Sequence, residues 1–74
     1  MSDPTETETV IVNGAPRAVA GRTVTDLLVE METPADARGV AVAIDGEVIV
    51  RSEWPRRVLG AGERVEVLTA IQGG

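Results

Sequence analysis

Two turn dipeptides, Asn13-Gly14 and Asp45-Gly46, each interrupt a stretch of strand-forming residues. Asn, Asp and Gly tolerate the positive φ angles that a two-residue turn requires, so each dipeptide predicts a β-hairpin. Side chains alternate between the two faces of a strand. The residues that share one side of each first strand are Val10 with Val12, and Val40 with Val42 and Ile44, the latter three predicted to point to the core. The strand after the first turn is predicted over residues 17–20, next to Pro16, which is compatible with a sheet edge.

One amphipathic helix is predicted between the two hairpins. Thr23, followed three residues later by Asp26, approximates a capping box at its start. Apolar residues then recur at three- and four-residue steps: Val24, Leu27, Leu28 and Met31. Such spacing gives the helix one apolar face, and Pro34 prevents its continuation. A polar connector is expected over residues 33–38.

The last third of the chain predicts an irregular link and a final strand. A short helical turn is expected over residues 52–54, because Pro55 interrupts regular structure, and another turn at residues 60–62. The strand over residues 64–69 directs Val65 and Val67 inward and Arg64, Glu66 and Leu68 outward.

These elements, ββαββ followed by a link and a strand, predict an α+β protein. We expect a ubiquitin-like β-grasp fold with a single mixed sheet of about five strands, covered by one main helix. The last strand is expected to pair centrally with the first. The predicted organisation is a disordered acidic leader over residues 1–8, a β-grasp domain over residues 9–69, and a flexible tail over residues 70–74. A chain of 74 residues allows only one domain.

The charge of the chain argues against two classes of partner. Twelve acidic residues against seven arginines give a net charge of −5, which disfavours nucleic acid and anionic membranes. The longest apolar run, VAVAI, is far shorter than a membrane span, and the sequence has no arginine-rich stretch followed by an apolar one, the pattern expected of a signal peptide. We therefore expect a cytoplasmic protein, a monomer when free, that binds neither nucleic acid nor membrane.

The side-chain inventory argues against catalysis by the chain itself. The sequence has no His, Cys, Lys or Tyr, the residues that most often transfer protons or attack substrates near neutral pH. Glu63 and Glu66 could in principle pair as acid and base, but their positions beside and within the last strand indicate solvated side chains. No calcium-loop or His/Cys metal spacing occurs. We predict no catalytic, cofactor-binding or metal-binding residues, and hence a protein that is not an enzyme.

The terminal sequence AIQGG offers a different kind of chemistry. Extended, its five residues reach about 16 Å at about 3.3 Å per residue, enough to bring the terminal carboxylate into a partner's active site. Gly73 and Gly74 lack a Cβ, so the backbone can pass a constriction that a side chain would block.

Four motifs in order, AGRTVTDLL, VAVAIDGEVIVRSEW, GAGERVEVL and the terminal GG, resemble the ThiS family, the sulfur carriers of thiamine biosynthesis. The resemblance covers residues 11–74. It implies that Gly74 is adenylated by a ThiF-type adenylyltransferase using ATP and Mg²⁺, while the carrier itself binds no cofactor. It further implies that sulfur from cysteine, delivered by a cysteine desulfurase or another donor, converts the terminus to a thiocarboxylate for thiazole synthase, ThiG.

The residues expected to meet the partner are the tail and one neighbour on the last strand. Leu68 and Ile71 are the predicted docking residues, because an outward Leu leading to an apolar tail residue has little structural purpose. Gln72 and Gly73 complete the predicted contact. Two further expectations are that Trp54 packs over the sheet edge and that the arginines Arg51, Arg56 and Arg57 are solvated.

Three other functions remain open from the sequence. The small subunit of molybdopterin synthase resembles this chain in fold and also works through a terminal thiocarboxylate, although it usually reaches its GG through a proline-rich stretch. A ubiquitin-like protein modifier would join Gly74 to a lysine of another protein. A plain β-grasp interaction module would have a C-terminus without any chemical role.

Overall fold

The computed structural model describes residues 8–33 and 39–69. Within them lie five strands, one α-helix and a single turn of 3-10 helix. The strands are β1 (Val10–Val12), β2 (Ala15–Arg17), β3 (Val40–Ile44), β4 (Glu47–Ile49) and β5 (Arg64–Thr69); the helix is α1 (Val24–Glu30), and the 3-10 turn is Arg51–Glu53. The sheet order is β2-β1-β5-β3-β4, with β1 and β5 parallel and every other pair antiparallel. This is the predicted β-grasp arrangement, with the last strand at the centre.

Both hairpins turn as predicted. Asn13 and Asp45 each have φ of 50°, and Gly14 and Gly46 have φ of 83° and 84°. Two consecutive positive φ values match the right-handed twist of the flanking strands, which is why Asn-Gly and Asp-Gly are favoured here.

The second strand was predicted wrongly at its boundaries. β2 spans Ala15–Arg17 instead of residues 17–20, and its Pro16 pairs with Ile11 at the edge of the sheet, where the missing N–H costs no ladder bond. Beyond Arg17 the chain bends, and Val19, only 1% exposed, enters the core. Val19 is therefore apolar because it packs in the core, and it lies outside the strand pairing.

Helix α1 begins with the predicted capping box. The Asp26 N–H donates to Thr23 Oγ1 at 3.1 Å, and the Thr23 N–H donates to Asp26 Oδ2 at 3.2 Å. Two more N–H groups of the first turn, those of Val24 and Thr25, donate to carbonyls of the link at Arg57 (3.0 Å) and Trp54 (3.2 Å). The link after the 3-10 turn therefore satisfies helix donors that would otherwise be unpaired.

The helix ends before Pro34 is reached. Glu32 adopts a left-handed φ of 58°, and the Thr33 N–H donates to the Leu28 carbonyl at 2.8 Å, which closes the last turn. The connector over residues 34–38 lies outside the described residues. Among the residues described, no helix is long and apolar enough to cross a membrane.

The core lies between α1 and the inner face of the sheet. It is composed mainly of branched aliphatic side chains: Val10, Val12, Val19, Val24, Leu27, Leu28, Val42, Ile44, Trp54, Leu59, Val65 and Val67. Every core residue predicted from the strand and helix patterns is buried or packs against this cluster, as Val40 and Met31 do. Val19, Trp54 and Leu59 reach it from loops.

Candidate functional site

The candidate site is the end of β5, the strand that leads to the C-terminus. β5 lies between β1 and β3, and its pairing with β3 continues to Thr69, opposite Val40. The four predicted tail residues, Ile71, Gln72, Gly73 and Gly74, lie outside the described residues, so their roles stay predictions. Leu68 is the one predicted docking residue that the structure describes.

Leu68 belongs to an exposed sheet face that α1 does not cover. Its side chain is 60% exposed and stands opposite Ala41 of β3. We call the surface on this side of the sheet the outer face; its apolar members are Ile11, Pro16, Ala41, Ala43, Val48 and Leu68. Arg64 and Glu66 are its charged members on β5, both exposed as predicted. The outer face thus carries both apolar and charged side chains, and on β5 it extends as far as Leu68.

Asn13 makes a contact with β5 that the sequence did not indicate. Its side-chain Oδ1 accepts a hydrogen bond from the Val67 N–H at 2.8 Å, and its Nδ2 donates to the Val67 carbonyl at 3.3 Å. The turn position of Asn13 was predictable, whereas this bond depends on which β5 residue lies beside the turn.

The other hairpin holds the opposite end of β5. The Asp45 N–H donates to the Arg64 carbonyl at 2.7 Å, and the Arg64 N–H donates to Asp45 Oδ1 at 3.0 Å. Both turns therefore use their positive-φ residue to extend the ladder along β5.

Glu63 and Arg57 differ from their expected solvated state. Glu63 Oε2 accepts from Arg57 Nη2 at 2.8 Å, and Glu63 Oε1 accepts from the Gly60 N–H at 2.6 Å, closing the turn before β5. Arg57 also donates through Nη1 to the Val58 carbonyl. Partial burial by itself raises the pKa of Glu63, but the hydrogen bonds from Arg57 and Gly60 and the Arg57 charge outweigh it, so the pKa lies below its ordinary value. The Glu63 carboxylate therefore stabilises the turn that precedes β5.

Trp54 packs against the sheet edge, as expected. It is 3% exposed, and its Nε1 donates to the Ile49 carbonyl of edge strand β4 at 2.9 Å. The Arg51 guanidinium lies 5.2 Å from the centre of the Trp54 ring, a cation–π distance. In the described ranges, no three His, Cys, Asp or Glu residues are grouped as metal ligands would be.

Comparison with known proteins agrees with this architecture. The sequence model of the ThiS family matches residues 10–74, which is most of the chain and includes its C-terminus. The chain belongs to the ThiS family. A curated ThiS-family protein, the sulfur carrier protein ThiS of Thermus thermophilus, is 40% identical over 65 residues, covering 88% of this chain and 98% of the relative.

Two solved structures of a ThiS protein from Geobacter metallireducens share the fold. The crystal structure superposes with a TM-score of 0.68 at 35% identity, covering 89% of this chain and 99% of that one. The solution structure, described as a thiamine biosynthesis protein, gives a TM-score of 0.69 at 33% identity, with coverage of 89% and 87%. Family membership and the β-grasp fold, both expected from the sequence, are confirmed.

Proposed function

We propose that this ThiS-family chain is a sulfur carrier for thiamine biosynthesis, and that it carries the sulfur as a thiocarboxylate on Gly74. The observation that supports this most directly is that β5, the central strand of the sheet, is followed in the sequence by AIQGG, which ends in Gly73 and Gly74. The folded body then serves to present the terminus, and the Thermus relative bears the name of sulfur carrier. We also propose that the chain acts in the cytoplasm, as a monomer when free, with no catalytic side chain of its own.

The chemistry requires activation of a poor electrophile. A terminal carboxylate oxygen attacks the α-phosphate of Mg²⁺-bound ATP on a ThiF-type adenylyltransferase, and pyrophosphate leaves. The terminal sulfur of a persulfide, formed from cysteine by a desulfurase or supplied by another donor, then attacks the carbonyl carbon of the acyl-adenylate and displaces AMP. A thiol next reduces the resulting acyl disulfide, which releases the thiocarboxylate and leaves the donor sulfur and the thiol joined as a disulfide. The resulting thiocarboxylate passes its sulfur to thiazole synthase. Because Gly73 and Gly74 carry no Cβ, the attacking sulfur meets no side chain at the reacting carbon.

The outer face is the proposed docking surface for the adenylyltransferase. Leu68 lies two residues before residue 70, so a partner that takes up the tail is proposed to contact this face as well. Two of its apolar residues, Leu68 and Val48, are 60% and 69% exposed. Covering them removes a large apolar area from water, which favours binding of a partner. In the tail, Ile71 and Gln72 are proposed to continue the contact.

A charge at the docking surface should weaken binding without unfolding the protein. Leu68→Asp or Ile71→Asp should raise KM for the carrier in the adenylation reaction by roughly tenfold or more, the loss expected when one large aliphatic side chain is no longer buried. Pyrophosphate release at varied carrier concentration measures this. Val29→Asp is the control, because it places the same charge on an exposed aliphatic residue of α1 (67% exposed), away from the outer face. An unchanged KM for both Leu68→Asp and Ile71→Asp would remove these residues from the docking surface.

Intact-protein mass spectrometry tests the proposed function. The chain is incubated with ATP, Mg²⁺, its adenylyltransferase, a cysteine desulfurase and cysteine. A mass increase equal to the exchange of one oxygen for sulfur is the expected result, and a variant lacking Gly74 should show none. Ligation to lysines would instead indicate a protein modifier, and no change would indicate an interaction module.

The acceptor distinguishes the thiazole from the pterin pathway. Isolated thiocarboxylate carrier should lose its sulfur to thiazole synthase supplied with its small-molecule substrates. Transfer to the large subunit of molybdopterin synthase, with none to thiazole synthase, would contradict the assignment to thiamine biosynthesis.

A further inference from the structure

β5 extends beyond β1 on one of its two sides. β1 pairs with β5 only through Ile11 and Val12, because the chain turns away at Asn13. On the other side, β3 accompanies β5 as far as Thr69. The last residues of β5 therefore have a strand neighbour on one side only.

The hydrogen bonds between β1 and β5 show which β5 residue is the first without a backbone partner on β1. The Ile11 N–H donates to the Glu63 carbonyl at 2.9 Å, and the Asn13 N–H donates to the Val65 carbonyl at 2.9 Å. Alternate residues of a strand direct their backbone polar groups to the same side. Val67 is the next in this series, and β1 has no further residue to meet it.

The Asn13 side chain supplies the hydrogen-bond partners that the β1 backbone lacks at this position. A primary amide carries one acceptor oxygen and a donor nitrogen, the same pair of groups as a peptide unit. Oδ1 takes the Val67 N–H at 2.8 Å, and Nδ2 reaches the Val67 carbonyl at 3.3 Å. The side chain thus continues β1 by one residue, although the backbone has already turned.

We propose that Asn13 is a positioning residue for adenylation: its amide holds the end of β5 in the sheet and so fixes where the tail leaves the folded body. This rests on the proposed function, since the exit point matters only if the terminus must reach an active site. Two residues, Leu68 and Thr69, separate the held position from residue 70. Without the amide, both would be restrained from the β3 side alone.

The kinetic consequence differs from that of a docking defect. If the outer face docks first and the tail enters the active site afterwards, a poorly fixed exit lowers the fraction of docked carriers whose carboxylate is in place. That fraction multiplies kcat, whereas KM can rise no further than the dissociation constant of the docked body. A positioning residue is therefore recognised by a fall in kcat, whereas the loss of a docking residue raises KM and leaves kcat unchanged.

Asn13→Gly is the test, with Asp45→Gly as its matched control. Gly accepts the φ of 50° found at both positions, so neither variant strains its turn, and both create the same flexible Gly-Gly sequence. Only Asn13→Gly removes both contacts to Val67. We expect its kcat for pyrophosphate release to fall roughly fivefold, as if about one residue of backbone order had been lost. For Asp45→Gly, kcat and KM should both stay within about twofold of wild type.

A second variant keeps the turn stiff. Asn13→Asp retains an acceptor for the Val67 N–H but sets a carboxylate oxygen, which cannot donate, against the Val67 carbonyl. Asp is compatible with this turn, because Asp45 occupies the matching position of the other hairpin with the same φ. Its kcat should lie between those of wild type and Asn13→Gly. If the kcat of Asn13→Asp equals that of the control variant Asp45→Gly, the Nδ2 bond contributes nothing to positioning.

Amide hydrogen exchange on the free proteins separates this proposal from the proposed function. In Asn13→Gly, the amides of Val67 and Leu68 should exchange faster than in wild type, while that of Val65 should not. Unchanged exchange at both Val67 and Leu68 would overturn the proposal, whatever adenylation shows. A raised KM with an unchanged kcat would also overturn it, because Asn13 would then belong to the docking surface. A wild-type chain that is never adenylated refutes the proposed function, a result distinct from either.

Discussion

The two ends of β5 are held by different means. At the start, Asp45 bonds both the N–H and the carbonyl of Arg64, and Glu63 closes the preceding turn through Gly60 and Arg57. At the end, one side chain, that of Asn13, supplies the contacts on the β1 side. The start is thus tied by several interactions from three segments, and the end by one amide and the β3 ladder.

Because of this difference, the start of β5 should contribute mainly to the stability of the fold, and the end of β5 mainly to the presentation of the tail to a partner. The start of β5 carries Val65, which is 1% exposed and contacts the core, whereas the end carries Leu68, which is 60% exposed. Changes at the start should therefore lower the free energy of unfolding and leave kcat nearly unchanged. Changes at the end should instead affect adenylation more than stability, through KM at the docking residue Leu68 and through kcat at Asn13, because the part of the chain they disturb is the part proposed to be handed to a partner.

The largest expected effect compares Val65→Ala with Leu68→Ala. Val65→Ala deletes two buried carbon atoms from the central strand and should lower the free energy of unfolding by about 2 kcal/mol, from lost burial and the cavity left behind. Leu68→Ala removes exposed atoms and should change it by less than about 0.5 kcal/mol. Urea denaturation followed by the fluorescence of Trp54, the only Trp of the chain, measures both.

The same two variants should reverse their order in the adenylation assay. Leu68→Ala should raise KM for the carrier, while Val65→Ala, assayed below its unfolding transition, should behave as wild type. Equal effects of the two variants on KM would mean that the division of β5 into a stabilising start and a presenting end is wrong.

Much of this fold could be predicted because its rules are local. The capping box at Thr23, the positive-φ turns and the alternation in β5 each depend on residues within a few positions of one another. They led to the correct order of elements, and the order left few topologies that bury one helix on one sheet. The boundaries of β2 were missed for the opposite reason, since Val19 is apolar because of a tertiary contact with the core.

The contacts around β5 could not be predicted because they need the register of distant strands. Asn13 and Val67 are 54 positions apart, and Asp45 and Arg64 are 19 apart. In the sequence, Asn13 is identified as a turn residue because Gly14 follows it. The turn alone explains an Asn at this position, so nothing in the sequence indicates its contact with β5. The ion pair between Glu63 and Arg57 could not be predicted either, because a charged residue beside a turn is usually solvated.

A second, smaller effect tests whether the two turns are equivalent in their backbones. Gly14 and Gly46 have φ of 83° and 84°, and a Cβ added at either would meet no atom within 4 Å. Gly14→Ala and Gly46→Ala should therefore each cost about 1 kcal/mol, from the left-handed conformation alone. Urea denaturation should give equal losses. Clearly unequal losses would mean that the kinetic contrast between Asn13→Gly and Asp45→Gly cannot be assigned to their side chains.

The smallest effect concerns the pH dependence at the start of β5. The pKa of Glu63 is lowered in the folded protein from its ordinary value of 4.5, so folding favours the charged carboxylate. Its contribution to the free energy of unfolding is therefore fully present above pH 4.5 and is lost as the pH falls through the lowered folded pKa. Glu63→Gln removes the titrating group and should be less stable than wild type by up to about 1 kcal/mol near neutral pH.

The gap between wild type and Glu63→Gln should narrow as the pH is lowered from about 6 to about 3, because the wild-type carboxyl becomes neutral as well. Glu66→Gln is the matched control, since Glu66 is an exposed carboxylate on β5, three residues after Glu63. Urea midpoints across this pH range measure both variants. A gap that stays constant with pH would mean that the Glu63 carboxylate contributes by shape alone, and that the charge of Arg57 has no part in anchoring the start of β5.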